Sequence, residues 1–189
     1  MTKAIVIYTN GSEDIEATAT YDILVRGGIE VLRIAATPKD NELTVKMGYG
    51  SIIQCDEHLN SFNGDFDLIV VPGGPGTSSL NNYPKLFELL KVHRQRNGLI
   101  GAICAAPGEI LYAHGILKNP ALATCYPGCE CGGSFSTEGV CYNKEENIVT
   151  GKSPYYTIPF ALQMVKVLQG EMTEEKVRNG IKAPEGKLY

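Results

Sequence analysis

The sequence predicts an α/β fold in which a largely parallel sheet lies between two layers of helices. Short runs rich in Val and Ile, typical of buried strands, alternate with longer segments of helical periodicity. Glycine-containing turns separate these segments, for example at 27–28 and 73–74. This βαβ order requires crossover helices, which pack on both faces of a parallel sheet.

The first half of the chain follows this order. Strands are predicted at 3–9, 29–36 and 66–74, and helices at 13–28 and 77–97. Ser12 is the predicted N-cap of the first helix, and Gly27-Gly28 ends that helix. Residues 42–55 predict a small hairpin or an irregular excursion.

The second half continues the alternation. Strands are predicted at 99–104, 121–125 and 147–152, and helices at 107–115 and 154–170. Residues 126–146 are rich in Gly and Cys and predict a loop. Sites in parallel sheets form at the carboxyl ends of strands, so the candidates are Asn10-Gly11, 72–74 and Cys104.

Composition limits the class of protein. The 189 residues predict a single domain spanning 1–189, with an ordinary 43% of hydrophobic residues. A net charge of −4 gives no basic footprint for nucleic acid or an anionic membrane. No apolar run approaches the roughly 20 residues that span a bilayer, and no signal peptide is evident. We therefore expect a cytoplasmic protein whose six cysteines are reduced thiols.

Cys104 is the strongest candidate nucleophile. It ends a predicted strand, and the small residues Ala102 and Ala105 beside it suit the sharp turn of a nucleophile elbow. Pro107 begins the following helix, whose N-terminus is expected to lower the pKa of the thiol. An inert buried cysteine fits the same motif, because free Cys is among the most buried residue types.

Glu16 favours the catalytic interpretation. It shares the inward stripe of the first helix with Thr20 and Ile23, so burial is expected to raise its pKa. Protonated, it can donate a hydrogen bond to a thiolate. The alternative is an ordinary exposed glutamate in the first turn of the helix, where acids are favourable.

Two glycines follow the strand that ends near Val71. Gly73 and Gly74 permit a close backbone approach, and the N–H groups of Gly74 and Ala105 are predicted to form an oxyanion hole. The segment lacks the G-x-G-x-x-G pattern and the phosphate-loop lysine, so nucleotide binding is not predicted.

A histidine base is not evident. None of the three histidines follows a predicted strand; His93 is predicted on the exposed face of its helix and His114 at a helix C-terminus. The remaining candidates are thiols at Cys125, Cys129, Cys131 and Cys141. Their spacing invites a zinc site but fits no standard pattern, so loop thiols are favoured over a metal site.

Three segments together carry a family resemblance: "GSEDIEA" (11–17), "VVPGGPG" (70–76) and "AICAAP" (102–107). With "GKSPYYTIPFAL" near the end, they resemble the DJ-1 branch of the ThiJ/PfpI superfamily over nearly the whole chain. The resemblance implies a flavodoxin-like sandwich related to class I glutamine amidotransferases, a homodimer, and no organic cofactor or metal.

The resemblance also implies roles for individual residues. Cys104 becomes the reactive, easily oxidised cysteine, Glu16 its protonated partner, and Gly74 and Ala105 the backbone donors. The implied substrate-lining residues are Gly73, Tyr126 and Pro154.

This chain departs from its relatives at several positions. Tyr126 stands where animal relatives carry a histidine, Pro75 where an asparagine is frequent, and Lys152 where an arginine is frequent. Ala105 stands where the protease-like branch has a histidine, which disfavours a cysteine peptidase. The late His/Glu pair of glutamine amidotransferases is not visible either.

Two functions remain open from the sequence. In the first, Cys104 and Glu16 convert an α-oxoaldehyde such as methylglyoxal to lactate, with deglycation of glycated adducts as a related activity. In the second, Cys104 is oxidised to a sulfinic acid, and the protein is a redox sensor or chaperone without turnover. An incidental thiol on a non-enzymatic scaffold is disfavoured by Glu16 and the elbow together.

Overall fold

The computed structural model describes residues 1–184, and its centre is a seven-stranded sheet. The strands of the sheet are β1 (Lys3–Thr9), β2 (Glu30–Ala36), β5 (Glu57–His58), β6 (Leu68–Val71), β7 (Leu99–Ile103), β8 (Val140–Asn143) and β9 (Ile148–Gly151). Their order is β5-β2-β1-β6-β7-β9-β8, and every pairing is parallel except that of β8 with β9. A separate antiparallel hairpin joins β3 (Thr44–Lys46) and β4 (Ile52–Gln54).

Helices cover both faces of the sheet. The longer ones are α1 (Asp14–Arg26), α2 (Pro84–Gln95), α3 (Thr157–Gln169) and α4 (Glu171–Gly180). Alternate residues of β1 enter two separate cores, with Val6 packing on the α1 and α3 side and Ile5 on the α2 side. These two cores confirm the predicted three-layer α/β arrangement.

The predicted strand at 121–125 is wrong. Pro120 begins a single 3₁₀ turn there, and Leu122 is exposed, so the apolar run does not enter the sheet. The strand next to β9 is β8, which lies inside the predicted loop of 126–146. The two-residue strand β5 also falls in a segment for which no strand is predicted.

Helix boundaries differ from the prediction at several places. The predicted helix of 77–97 is a 3₁₀ segment, Thr77–Asn82, followed by α2, because Pro84 excludes helical backbone at Tyr83. Pro107–Tyr112 is π-helical, and α4 follows α3 where no element is predicted. Within residues 1–184, no helix is long and apolar enough to cross a membrane.

The N-cap of α1 is Glu13 rather than Ser12. The Glu13 carboxylate accepts a hydrogen bond from the Glu16 N–H at 2.7 Å. The Ser12 hydroxyl instead accepts from the Thr9 N–H at 2.9 Å and so ties the turn to the end of β1.

Candidate active site

Two neighbouring strand ends meet at Cys104. β6 and β7 pair in parallel, with Val71 opposite Ala102, so the residues that follow them share one edge of the sheet. A Cβ at Gly73 would lie 2.7 Å from the Cys104 Cβ, which is closer than real Cβ contacts. A side chain at Gly73 would therefore displace Cys104.

The Cys104 backbone adopts the left-handed conformation, with φ +64°. Side chains rarely adopt this conformation, and it is the strained turn expected of a nucleophile elbow. Its N–H donates to the Gly151 carbonyl at 2.9 Å, and its carbonyl accepts from the Tyr126 N–H at 2.8 Å. The elbow is thus anchored to β9 on one side and to the 126–131 loop on the other.

Glu16 extends from α1 into the same crevice and is fully buried. Its Oε2 accepts a hydrogen bond from the Gly73 N–H at 2.8 Å. Burial raises the pKa of Glu16 from 4.5 to about 7, although the Gly73 N–H and the Cys104 thiol both lower it. A substantial fraction of Glu16 is therefore protonated at neutral pH.

Glu16 and Cys104 interact directly. Each of the two groups shifts the pKa of the other: the thiol lowers the pKa of Glu16, and Glu16 raises the pKa of the thiol. The other carboxyl oxygen, Oε1, has no partner of regular geometry in the described part of the chain, so the thiol contact is not an ideal hydrogen bond in this state. The structure thus brings together the two side chains that the sequence identifies as candidates.

The pKa of the Cys104 thiol moves opposite to the expected direction. Burial raises it, and the charge and hydrogen bonding of ionised Glu16 raise it further, outweighing the N–H groups of Ala105 and Gly74, which lower it. The helix N-terminus alone therefore does not produce a thiolate. Because thiol and carboxyl compete for protons, a thiolate in this crevice requires the proton on Glu16.

The N–H groups of Gly74 and Ala105 are near enough to the Cys104 sulfur to lower the pKa of its thiol. Gly74 has φ +111°, and a side chain there would collide with the backbone of Glu13. Backbone donors fixed in this way stabilise negative charge on the sulfur or on an oxygen bonded next to it. Both residues were predicted as backbone donors.

Glu13 is a site residue that the sequence reasoning missed. It is buried, burial raises its pKa, and its charge raises the pKa of Glu16. Its own N–H donates to the Gly73 carbonyl at 2.9 Å, so it links α1 to the turn beside Cys104. Its position three residues before Glu16, at the start of the helix, is the signal that identifies an N-cap.

Tyr126 and Pro154 differ in their relation to the site. The Tyr126 backbone contacts Cys104, and its side chain is 44% exposed at the mouth of the site. Pro154 begins the 3₁₀ turn before α3, where its carbonyl accepts from Thr157. No described hydrogen bond joins Pro154 to the Cys104 group.

A groove of about 550 Å³ opens beside the turn that carries Gly74. It lies between that turn and the β3–β4 hairpin. Its lining includes Asn10, Gly11, Lys46, Gly48 and Pro75. The groove does not reach Cys104 or Glu16, neither of which lines it.

The histidine predictions need two corrections. His93 is buried on α2 and donates to the Leu99 carbonyl at 2.9 Å, so it is not on an exposed face. His58 does end a strand, the edge strand β5. Four strand spacings separate β5 from β7, which puts His58 about 19 Å from Cys104.

The remaining cysteines in the described residues are not arranged as metal ligands. Within the described residues, no cluster of three or more His, Cys, Asp or Glu is arranged to hold a metal ion. Cys125 is buried next to the elbow, whereas Cys131 is exposed.

Comparison with known proteins agrees with the fold and the motifs. A family model described as the DJ-1/PfpI family matches residues 2–167. The chain belongs to the DJ-1/PfpI family.

Relatives of this family align over nearly the full chain. The chain is 37% identical over 172 residues to the glutathione-independent glyoxalase DJR-1.2 of Caenorhabditis elegans, covering 88% of each chain. It is 31% identical to the Parkinson disease protein 7 homolog of Danio rerio, covering 93% of this chain and 94% of the relative. The structure of oxidized DJ-1 from Toxoplasma gondii superposes with a TM-score of 0.89 at 29% identity, covering 96% and 98%. These matches confirm the resemblance to the DJ-1 branch.

Proposed function

We propose that this protein is a cofactor-independent glyoxalase that converts small α-oxoaldehydes such as methylglyoxal to 2-hydroxy acids. The observation that carries the proposal is the placement of Glu16 beside Cys104: the Gly73 N–H donates to Glu16 at 2.8 Å, and a Cβ at Gly73 would lie 2.7 Å from the Cys104 Cβ. Glu16 and the Gly74 and Ala105 N–H groups are near enough to the Cys104 thiol to shift its pKa. A 37% identical relative is named a glutathione-independent glyoxalase, which supports the same activity.

The first step is addition of the Cys104 thiolate to the aldehyde carbon. The thiolate forms when the thiol proton passes to Glu16, and the carbonyl oxygen takes the electron pair as the carbon–sulfur bond forms. The Gly74 and Ala105 N–H groups, which already lower the pKa of the Cys104 thiol, stabilise the adjacent oxyanion. Glu16, which now carries the thiol proton, returns that proton to the oxygen; this step gives the hemithioacetal and leaves Glu16 as a carboxylate.

Glu16 then moves a proton between the two carbons. Its carboxylate takes the proton from the former aldehyde carbon to give an enediol, and its acid form returns a proton to the neighbouring carbon. The product is a thioester of the 2-hydroxy acid, which one water molecule hydrolyses to release lactate and the free thiol. A carboxyl whose pKa is about 7 suits both directions of transfer near neutral pH.

The test compares wild-type protein with Cys104→Ala, Glu16→Gln and the matched control Cys131→Ala. Loss of methylglyoxal and formation of lactate are followed by NMR. We expect a fall of at least about 100-fold in the first two variants and no change in the control, whose exposed thiol lies outside the site. Turnover at the wild-type rate by Cys104→Ala or Glu16→Gln would refute the proposal. The same variants tested on glycated adducts decide whether deglycation uses this site.

Oxidation of Cys104 without turnover is the second candidate function. The two N–H groups at the sulfur and the protonated form of Glu16 are suited to hold the oxygens of a sulfinic acid. Intact mass under mild peroxide tests it. A gain of two oxygens, about 32 Da, is expected in wild type and not in Cys104→Ala; no gain in wild type rejects it.

We also propose that this chain acts as a single-domain homodimer in the cytoplasm. An exposed apolar surface beside the site, formed by Ile15, Tyr49 and Ile52, supports a second copy as its cover. Asp14 fixes the hairpin to α1 by accepting from the Tyr49 N–H at 2.8 Å. Light scattering of Tyr49→Glu tests this, with Met172→Glu as the control because Met172 is also an exposed apolar residue. A Tyr49→Glu dimer as stable as wild type contradicts it.

A further inference from the structure

The strained backbone of Cys104 requires contacts that hold it. Its left-handed φ of +64° is uncommon for a residue with a side chain. Two donors from consecutive residues converge on its carbonyl. One is the Tyr126 N–H at 2.8 Å, and the other is the thiol of Cys125, whose Sγ lies 3.4 Å from the oxygen.

The Cys125 sulfur is itself fixed from a second side. Gly108, in the first turn of the π-helical segment Pro107–Tyr112, packs against it, and the Gly108 N–H lowers the pKa of the Cys125 thiol. Gly108 has no room for a side chain, because a Cβ there would clash with the Cys129 carbonyl and lie 3.0 Å from the Cys125 Sγ. Cys125 therefore joins the segment after the nucleophile to the carbonyl of the nucleophile.

Cys125 is buried and remains a hydrogen-bond donor. Burial raises the pKa of its thiol to about 12, so it keeps its proton across the physiological pH range. Its proton points to a carbonyl that belongs to Cys104, and its sulfur does not take part in the proposed reaction steps.

We infer that Cys125 is a positioning residue, whose S–H bond to the Cys104 carbonyl keeps the Cys104 sulfur on the Gly74 and Ala105 N–H groups beside Glu16. The effect on turnover rests on the proposed glyoxalase function, whereas the effect on Cys104 reactivity does not. Without this bond the elbow relaxes, and the sulfur moves away from the donors that stabilise its charge.

Three variants separate the hydrogen bond from packing. Cys125→Ala removes both the donor and the volume, Cys125→Val retains volume without a donor, and Cys125→Ser retains a donor. Cys131→Ala is the matched control, because that thiol is exposed. If Cys125→Ala does not fold, as judged by thermal unfolding, the comparison of Val with Ser still tests the inference.

The main readout is the alkylation of Cys104 by iodoacetamide as a function of pH. Tryptic cleavage after Arg96 and Lys118 yields a peptide, 97–118, in which Cys104 is the only cysteine, so mass spectrometry follows this thiol alone. The second readout is kcat and KM for methylglyoxal.

We expect Cys125→Ala and Cys125→Val to alkylate Cys104 about fivefold more slowly at neutral pH, with the pH midpoint moved upward. The kcat should fall by a similar factor with KM unchanged, and Cys125→Ser should recover to within about twofold of wild type. This pattern supports the inference.

An unchanged or faster alkylation profile in Cys125→Val would overturn the inference, as would a Cys125→Ser variant as impaired as Cys125→Val. If wild type does not turn over methylglyoxal, the proposed function fails, but the alkylation profiles still decide the role of Cys125. The two failures are therefore distinguishable.

Discussion

Replacement of Glu16 by glutamine should increase the stability of the protein relative to wild type as the pH rises. Glu16 is fully buried, and its pKa in the folded state is about 7, against 4.5 ordinarily. A folded-state pKa above the unfolded value means that the folded state binds the proton more tightly. The stability associated with protonated Glu16 is therefore complete below about pH 4.5 and is lost as pH rises through about 7.

The size of the effect follows from the two values. The difference between 4.5 and about 7, at 1.36 kcal/mol per pKa unit, gives about 3 kcal/mol of lost stability above pH 8. Glutamine has no charge to desolvate, and its carbonyl can still accept from the Gly73 N–H. The free energy of unfolding of Glu16→Gln minus that of wild type should therefore rise by about 3 kcal/mol between pH 4 and pH 8.

The assay is urea unfolding of both proteins at a series of pH values. If the glutamine amide packs imperfectly, the resulting loss of unfolding free energy is the same at every pH. It therefore does not change how the difference between variant and wild type depends on pH. Asp14→Asn is the matched control on the same helix turn. Burial raises the pKa of Asp14, but hydrogen bonds from Ser51 and Tyr49 outweigh it and lower the pKa below the ordinary 3.8. The stability that Asp14 contributes is therefore lost only at more acidic pH, and the Asp14→Asn difference should stay nearly constant between pH 4 and pH 8. A Glu16→Gln difference that stays constant from pH 4 to pH 8 would refute the reasoning.

Two further predictions concern the same crevice, and a third concerns Glu146, a buried carboxylate just before the start of β9. Gly73→Ala should abolish methylglyoxal turnover and lower the Tm by several degrees in calorimetry, because its Cβ would lie 2.7 Å from the Cys104 Cβ. A variant with wild-type activity and Tm would contradict the close packing. Cys104→Gly should be about 1 kcal/mol more stable in urea unfolding than Cys104→Ala, because glycine adopts φ +64° without strain. Equal stability of the two variants would show that the elbow is not strained. Glu146→Gln should lower the free energy of unfolding by about 2 kcal/mol. The Glu146 carboxylate accepts hydrogen bonds from the Lys118 and Asn119 N–H groups and lies 3.4 Å from the Arg94 guanidinium. An unchanged urea midpoint would show that these bonds contribute little.

The sequence was sufficient for most of the fold because local periodicity and sheet topology agree. β1, β6 and β7 are apolar runs buried on both faces, and the helices between them carry clear stops such as Gly27. The strand predicted at 121–125 is wrong because an apolar run after Pro120 has the same composition whether or not it pairs with a neighbouring strand. β8 was not predicted because it forms by antiparallel pairing with β9 across a turn, and its own composition does not indicate a strand.

The candidate site was predictable in its members but not in its electrostatics. Cys104 and the Gly73-Gly74 turn lie at the ends of neighbouring strands, and Glu16 lies in the first turn of the helix that follows β1, so the topology brings them together. The pKa of Cys104 depends on how deeply the thiol is buried and on the charge of Glu16 beside it, and neither quantity is readable from spacing. The part played by Glu13 was hidden for a similar reason, since an acid in a first helical turn is ordinary until its burial is known.

The crowding around the Gly73-Gly74 turn limits how the protein can change over generations. A methyl group at Gly73 would strike Cys104, and one at Gly74 would strike the backbone that begins α1. Neither position tolerates drift unless two chain segments move together. For the proposed glyoxalase, we therefore expect changes in substrate preference to arise where Tyr126 and the hairpin are exposed rather than at the turn. A mutant library aimed at these exposed positions should yield altered specificity far more often than one aimed at the turn.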